Sequence, residues 1–255
     1  MMEPVLSVRD LKKTFVADEQ ECRVLQGISF EAFPGEILCI MGTSGCGKST
    51  LLRMIAGLET IDSGSISTLE SQGTGPARAA MVFQDDALFP WLNVHDNISY
   101  GLRLGAEKVP EDVATKRVAD LLDLIGLTSF SAYYPYQLSG GMKQRAAVAR
   151  ALAVHPGIIL MDEPFSALDP FTRRELQDEI IRIRDAASAE GHPVAILLVT
   201  HNPEEAVYLA DRIIVLSDRP ASIHGLIDVR LPRPRSIADK DFLAIREEVT
   251  GLVKR

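Results

Sequence analysis

Three short stretches of this sequence carry residue types that could do chemistry on phosphate. Gly42-Thr43-Ser44-Gly45-Cys46-Gly47-Lys48-Ser49 fits the pattern G-x-x-x-x-G-K-[ST], with Thr50 next in the same turn. Its glycines let backbone N–H groups curl around phosphate oxygens, Lys48 would reach the β- and γ-phosphates, and the Ser49 hydroxyl would ligate Mg²⁺. Gly157-Ile158-Ile159-Leu160-Met161-Asp162-Glu163 is an apolar run that ends on two acids. Ligands of open α/β sheets bind beyond the carboxyl ends of strands, so Asp162 could hold Mg²⁺, directly or through water. Glu163 points differently and could orient or deprotonate an attacking water. Ser139-Gly140-Gly141, ahead of a helical stretch from Met142, is a further anion cradle with a hydroxyl and close backbone approach. The same tripeptide is also an ordinary turn and helix cap, and alone it decides nothing.

The surrounding elements must position these groups. Pro34-Gly35 marks a turn, and Glu36–Met41 reads as a buried strand feeding the first loop. Lys48 to Ala56 reads as a helix stopped by Gly57. Ala79–Gln84 is a brief strand, and from Asp85 to Leu152 the pattern turns helical. One helix there carries a stripe through Val113, Val118, Leu121, Leu122 and Ile125. Thr172–Glu190 reads as a long amphipathic helix with capping-box spacing between Thr172 and Glu175, and a buried face through Leu176, Ile180, Ile183 and Ala187. Val194–Thr200 and Ile213–Leu216 read as strands, with Asn202-Pro203 capping a helix between them. The tail from Ser236 is amphipathic through Phe242, Ile245, Val249 and Leu252, and reads as a helix packed on the domain. Strand, loop, helix, helical insert, then alternating strand and helix predicts an α/β fold with a mostly parallel sheet covered on both faces.

Composition narrows the class. The chain has 255 residues, 46% of them hydrophobic, and a formal net charge of -8. That suffices for one large α/β domain and argues against broad electrostatic binding to nucleic acid or anionic lipid. No apolar run approaches the roughly 18 residues of a membrane span. Met1-Met2-Glu3-Pro4 shows no secretory pattern. Cys22, Cys39 and Cys46 lack metal-ligand spacing and read as reduced thiols.

Taken together, the motifs resemble those of the nucleotide-binding subunit of ATP-binding cassette (ABC) transporters, over essentially the whole chain. Gly42–Ser49 is similar to that family's Walker A motif, Leu138-Ser139-Gly140-Gly141-Met142 to its signature, and Leu160-Met161-Asp162-Glu163 to its Walker B. Gln84 looks like the Q-loop glutamine, Ser166-Ala167-Leu168-Asp169 like the D-loop, and His201 like the switch histidine, all in the family's order. The resemblance implies a P-loop NTPase core with an N-terminal antiparallel β subdomain (5–84 and 153–235), an inserted helical subdomain (85–152) and a C-terminal helix (236–255). It implies ATP and Mg²⁺ as ligands. Phe15 would stack on adenine, Gln84 would contact Mg²⁺ and the attacking water, Glu163 would be the principal catalytic carboxylate, and His201 would hydrogen-bond the γ-phosphate. Asp169 would signal across a head-to-tail dimer, in which each nucleotide lies between one subunit's P-loop and the other's Ser139–Gly141 turn.

A finer resemblance points to importers of nitrate, sulfonates, taurine and related small solutes. It is carried by Phe89-Pro90-Trp91-Leu92-Asn93-Val94 with Asp96-Asn97, and by Ser217-Asp218-Arg219-Pro220 with Leu231-Pro232-Arg233-Pro234-Arg235. Taken as residues alone, the second stretch is a proline-stiffened surface loop with exposed arginines. The implied partners are a second ATPase subunit, an integral membrane permease and, indirectly, a solute-binding protein, with the chain peripheral on the cytoplasmic face. Asp85–Asn93, rich in exposed-looking apolar residues, is the candidate permease groove. The competing classes are a non-transport ABC ATPase acting on DNA or the ribosome, and a small-molecule P-loop kinase. The acidic balance disfavours the first, and the second leaves Leu138–Met142, Asp169 and His201 unexplained.

Overall fold

A computed structural model describes residues 3–17, 20–68, 79–83, 88–104, 109–166 and 168–254. Gln84, Asp85, Asp86 and Ala167 lie outside the described residues. Two sheets organise the chain. Strands β1 (Leu6–Ala17), β2 (Gln20–Ala32) and β4 (Ser63–Thr68) form an antiparallel sheet in the order β2-β1-β4. The second sheet combines β3 (Ile37–Met41), β5 (Ala79–Val82), β6 (Ile158–Asp162), β7 (Ala195–Val199), β8 (Arg212–Leu216) and β9 (Ile223–Asp228) in the order β5-β6-β7-β3-β8-β9. Its first five strands run parallel, and β9 closes the edge antiparallel to β8.

Strands β3, β6 and β7 are buried at every position because both faces of the sheet are covered. Side chains alternate between two cores, as the two-residue period of a strand requires. Cys39, Ile159, Met161, Ile196 and Leu198 join one core, under helices α5 (Pro170–Ala189) and α6 (Pro203–Leu209). Leu38, Ile40, Ile158, Leu160 and Leu197 join the other, under α1 (Lys48–Ile55) and the antiparallel sheet. Each buried Leu or Ile contributes about 1.5–3 kcal/mol, so a polar residue in either row would unseat a whole layer.

Between β5 and β6 the chain builds α2 (Val94–Leu104), α3 (Glu111–Leu124) and α4 (Gly140–Ala153), with short 3-10 turns at Thr128–Phe130 and Pro135–Gln137. Helix α4 packs Ala146, Ala147, Ala149 and Ala153 into the first core, small side chains that permit close approach. Helix α7 (Lys240–Val253) buries Phe242 and Val249 completely, with Ile245 and Leu252 packed beside them. No described helix is long and apolar enough to cross a membrane.

Three local expectations are corrected, and one strand was missed. Val113 is half exposed, because the core-facing side of α3 runs through Ala114, Val118, Leu121 and Leu122. Helix α5 starts at Pro170, and Asp169 rather than Thr172 caps it, accepting from the N–H groups of Phe171 and Thr172 at 3.0 and 3.1 Å. A proline at the first turn needs no N–H there, so the Asp-Pro pair outcompetes the later capping box. Strand β9 was not legible in its mixed run, Ile223-His224-Gly225-Leu226-Ile227-Asp228. Arg233 and Arg235 are not exposed. Arg235 is buried and donates to the carbonyl oxygens of Val207, Tyr208, Ala210, Val229 and Leu231, while Arg233 pairs with Asp211 at 2.6 Å. Burial lowers the Arg235 pKa to about 10, which leaves it charged at neutral pH. These guanidinium groups sew the segment after β9 onto the end of α6.

Candidate active site

The loop Gly42–Gly47 leaves the carboxyl end of β3 and enters α1, with Gly47 at the N-cap. Gly47 has φ of 123°, and a Cβ there would lie 2.8 Å from Val24 Cγ1, so this position excludes a side chain. The helix start has no side-chain cap, which leaves its first-turn N–H groups available to an anion. Lys48 is buried beneath the loop and donates to the carbonyl oxygens of Gly42 at 3.0 Å and Thr43 at 2.8 Å. Ser44 and Gly45 are exposed at the crown. Cys46 is buried, and burial raises its thiol pKa. Its side chain packs in the second core. Thr50 is half-buried in the first turn of α1.

Beside the loop, β6 delivers Asp162. The Ser49 hydroxyl donates to Asp162 Oδ1 at 2.9 Å. Burial raises the Asp162 carboxyl above the usual range, and the adjacent Glu163 charge acts in the same direction. A buried carboxylate and a hydroxyl at the mouth of a phosphate loop form a hard oxygen donor set, which fits Mg²⁺. Glu163 adopts φ of 46°, unusual for a glutamate and worth about 1–3 kcal/mol of backbone strain. The conformation is held by its own N–H on Val199 O at 3.0 Å and by the Ser166 hydroxyl donating to Glu163 O at 3.0 Å. It turns the side chain toward His201, whose Nδ1 lies 3.3 Å from Glu163 Oε2. His201 lies two residues beyond β7, after Thr200, and its ring is largely exposed.

Phe15 lies on β1 opposite Cys22, 38% exposed, so it is not a core residue. Lys13 Nζ sits 4.9 Å from its ring centroid, held from below by Glu59 at 2.8 Å. Ser139 caps α4, its Oγ accepting from Met142 N at 3.3 Å. Gly140 and Gly141 lie against Leu168 and Thr172 rather than against the P-loop. The structure therefore brings Lys48, Ser49, Asp162, Glu163 and His201 along one edge of the parallel sheet, and places Ser139–Gly141 and Asp169 at the adjoining starts of α4 and α5.

Residues 25–166, more than half of the chain, match the family described as ABC transporter. The chain belongs to the ABC transporter family. As an ABC ATPase it binds and hydrolyses ATP with Mg²⁺. It is 44% identical to the nitrate import ATP-binding protein NrtD of Synechocystis sp., over 98% of this chain and 95% of that protein. It is 40% identical to the aliphatic sulfonates import ATP-binding protein SsuB of Bacillus subtilis, over 97% of this chain and 93% of that protein. Among solved structures it is similar to a dimeric, post-hydrolysis state of the ATP-binding cassette MJ0796 bound to ADP and Pi. The TM-score there is 0.72 at 27% identity, covering 89% of this chain and all of the other.

Several contacts of this ABC ATPase were not read from sequence. Thr43 Oγ1 donates to Asp218 Oδ1 at 2.5 Å, and Arg219 Nε donates to Gly45 O, so the β8–β9 turn clasps the P-loop crown. Asn97, completely buried, holds the Phe89–Asn93 loop through the carbonyl oxygens of Phe89, Leu92 and Asn93 and the N–H of Phe89. Trp91 remains 69% exposed on that loop. Buried Glu205 accepts from Thr200 Oγ1 at 2.5 Å and lies 3.5 Å from Arg173 Nε. Burial raises the Glu205 carboxyl pKa, against the pull of Thr200 and Arg173. A buried glutamate inside the run Asn202-Pro203-Glu204-Glu205 was the available signal, but periodicity alone made it a helix-start acid.

Proposed function

We propose that this chain is the ATP-hydrolysing subunit of an importer for a small solute of the nitrate, sulfonate or taurine kind. The observation that carries the ATP-hydrolysing part of this reading is the alignment of Lys48, the 2.9 Å Ser49–Asp162 pair and the 3.3 Å Glu163–His201 pair along one sheet edge. Gly42–Gly47 and the first turn of α1 bind the triphosphate, Ser44 and Gly45 at the exposed crown and Thr50 deeper in the cradle. Lys48 exchanges its carbonyl partners for phosphate oxygens, and Phe15 offers its exposed ring to adenine. Mg²⁺, when bound, neutralises phosphate charge, and Ser49 and Asp162 hold it, with Gln84 a further ligand on sequence grounds. Glu163 takes the proton of the attacking water, and His201, beside that carboxylate, donates to the γ-phosphate.

The Ser139–Gly141 turn, which rests on the start of α5, completes the site of a second subunit, with Asp169 at the same junction. Two ATP molecules then close a head-to-tail pair. The likeness to a dimeric, ADP-bound cassette supports this arrangement. The loop held by Asn97, with Trp91 at its tip, receives the permease at the cytoplasmic face of the membrane, and a solute-binding protein feeds that permease. The import ATPases for nitrate and aliphatic sulfonates among its relatives support the solute class.

The test is co-purification with a candidate permease and reconstitution in vesicles. ATPase activity should rise when the matching solute receptor is loaded with nitrate, an alkanesulfonate or taurine. A chain that hydrolyses ATP but neither binds a permease nor responds to any of these loaded receptors would remove the importer reading. Lys48→Ala serves as the control, expected to lose nucleotide binding.

A further inference from the structure

Within one subunit, a continuous line of contacts joins the Ser139–Gly141 turn to His201. A Cβ built on Gly141 would lie 2.2 Å from Thr172 Cγ2, and one on Gly140 would lie 3.7 Å from Leu168 Cδ2, so the turn rests directly on the start of α5. The carbonyl of Leu168 accepts from Arg173 Nη2 at 3.0 Å. Arg173 Nε reaches to 3.5 Å from Glu205 Oε1, close enough for an ion pair, yet that N–H is buried without a hydrogen-bond partner. The other carboxylate oxygen of Glu205 accepts from Thr200 Oγ1 at 2.5 Å, and Thr200 Oγ1 accepts from Asn202 N at 3.1 Å. His201 is thus held between two residues that both answer to Glu205. Around Arg173, a cavity of about 70 Å³ is lined also by Glu163, Ser166, Thr200, His201 and Glu205.

The energetics make this link sensitive to position. Thr200 and Glu205 are buried, so Glu205 needs its partners, and an incompletely made pair with Arg173 leaves both groups undersatisfied. A shift of a few tenths of an ångström at the start of α5 closes or opens the Arg173–Glu205 hydrogen bond, because the useful range is narrow. The cavity gives the guanidinium room to make that shift. Gly141 leaves no slack on the other side, since Thr172 fills the space where a side chain would stand.

We propose that Arg173 and Glu205 are positioning residues that transmit engagement of the Ser139–Gly141 turn to His201, so that a subunit gripping its partner's nucleotide readies its own site. The proposal rests on the shared-site reading above, in which the turn and His201 serve different nucleotides. Neither residue touches ATP in this scheme. Their loss should leave nucleotide binding intact while uncoupling the two sites.

The test is steady-state hydrolysis by the full chain, with ATP affinity measured separately by a fluorescent analogue and folding by thermal melting. Wild type should show sigmoidal dependence on ATP. Arg173→Met and Glu205→Gln should each lower kcat about 10-fold and abolish the sigmoidicity, with ATP affinity held within about 2-fold. The double variant should be no slower than the singles, because both cut one link. Arg173→Lys, which keeps the charge and is the milder probe if Arg173→Met folds poorly, should recover part of the sigmoidicity. Additive losses, or sigmoidicity retained in well-folded variants, would overturn the relay while leaving the shared site standing. Hyperbolic hydrolysis by wild type, with no ATP-dependent dimer, would overturn both.

Discussion

Ser49 and Asp162, 113 positions apart in sequence, meet at 2.9 Å where the first turn of α1 crosses the end of β6. The hydroxyl donates to a carboxylate that burial has made costly to ionise. A dication at this point would relieve that cost, since both groups are hard oxygen donors. Asp162→Asn keeps the shape and the acceptor but removes the charge. It should weaken Mg²⁺-dependent thermal stabilisation by ATP at least about 10-fold in the midpoint concentration of Mg²⁺, one charge-assisted ligand being worth roughly 1.5–3 kcal/mol. A melting-temperature titration with Mg²⁺ at fixed ATP measures this. An unchanged midpoint would remove Asp162 from the metal site.

Glu163 carries the strained backbone and the contact to His201. Glu163→Gln preserves size and polarity and loses only the base. Turnover should fall by about 10²–10⁴, the range for removal of a general base, while ATP binding persists. Size-exclusion chromatography with ATP should then show a stable dimer, because closure proceeds and reopening does not. Normal multiple-turnover hydrolysis in that variant would assign the proton to another group.

Gly141 allows a cleaner genetic test. Alanine is the better helix former by about 1 kcal/mol, so propensity alone favours Gly141→Ala. The clash with Thr172 Cγ2 at 2.2 Å opposes it, and overpacking of that kind costs about 1–3 kcal/mol. We expect Gly141→Ala to lose hydrolysis, and Thr172→Ser, which deletes the clashing methyl and keeps the hydroxyl, to restore much of it. Failure of the second change to restore activity would mean that Gly141 is needed for approach to phosphate itself rather than for seating on α5.

Arg235 holds the segment between β9 and α7 through five carbonyl oxygens. Arg235→Met should cost at least about 3 kcal/mol, because hydrogen bonds to a charged group are worth roughly 1.5–3 kcal/mol each and several acceptors are orphaned together. For a domain of this size that is roughly 6–12 °C in melting temperature. Arg235→Lys should recover less than half, since an ammonium lacks the planar fork. A melting temperature within about 2 °C of wild type would show that water replaces the guanidinium.

Much of the fold was legible because burial on both sheet faces leaves an unmistakable apolar run, as in Ile158–Met161 and Ala195–Val199. Asn202-Pro203 was legible because a cap is a local matter, and the side chain does accept from Glu204 N at 2.9 Å. Thr172 was misread as a cap because two local solutions overlapped within four positions and Asp169-Pro170 was the better one. Strand β9 was missed because an edge strand with one solvated face mixes glycine, histidine and aspartate among its apolar positions. The arginines near 235 were misjudged because charge and proline content predict exposure, whereas burial here depends on carbonyl groups that only the end of α6 and its neighbours supply.

By itself the sequence determined which residues could cradle phosphate and carry a base, because loop glycines, a lysine and strand-end acids act through local geometry and intrinsic chemistry. Tertiary structure alone decided which of them meet. Pairings such as Ser49 with Asp162, Glu163 with His201, Thr43 with Asp218 and Arg173 with Glu205 join segments with no local relation, and no periodicity encodes them. They exist because the strand order β6-β7-β3-β8 brings the ends of these strands, and the loops and helices that follow them, out at one edge although they are distant in sequence.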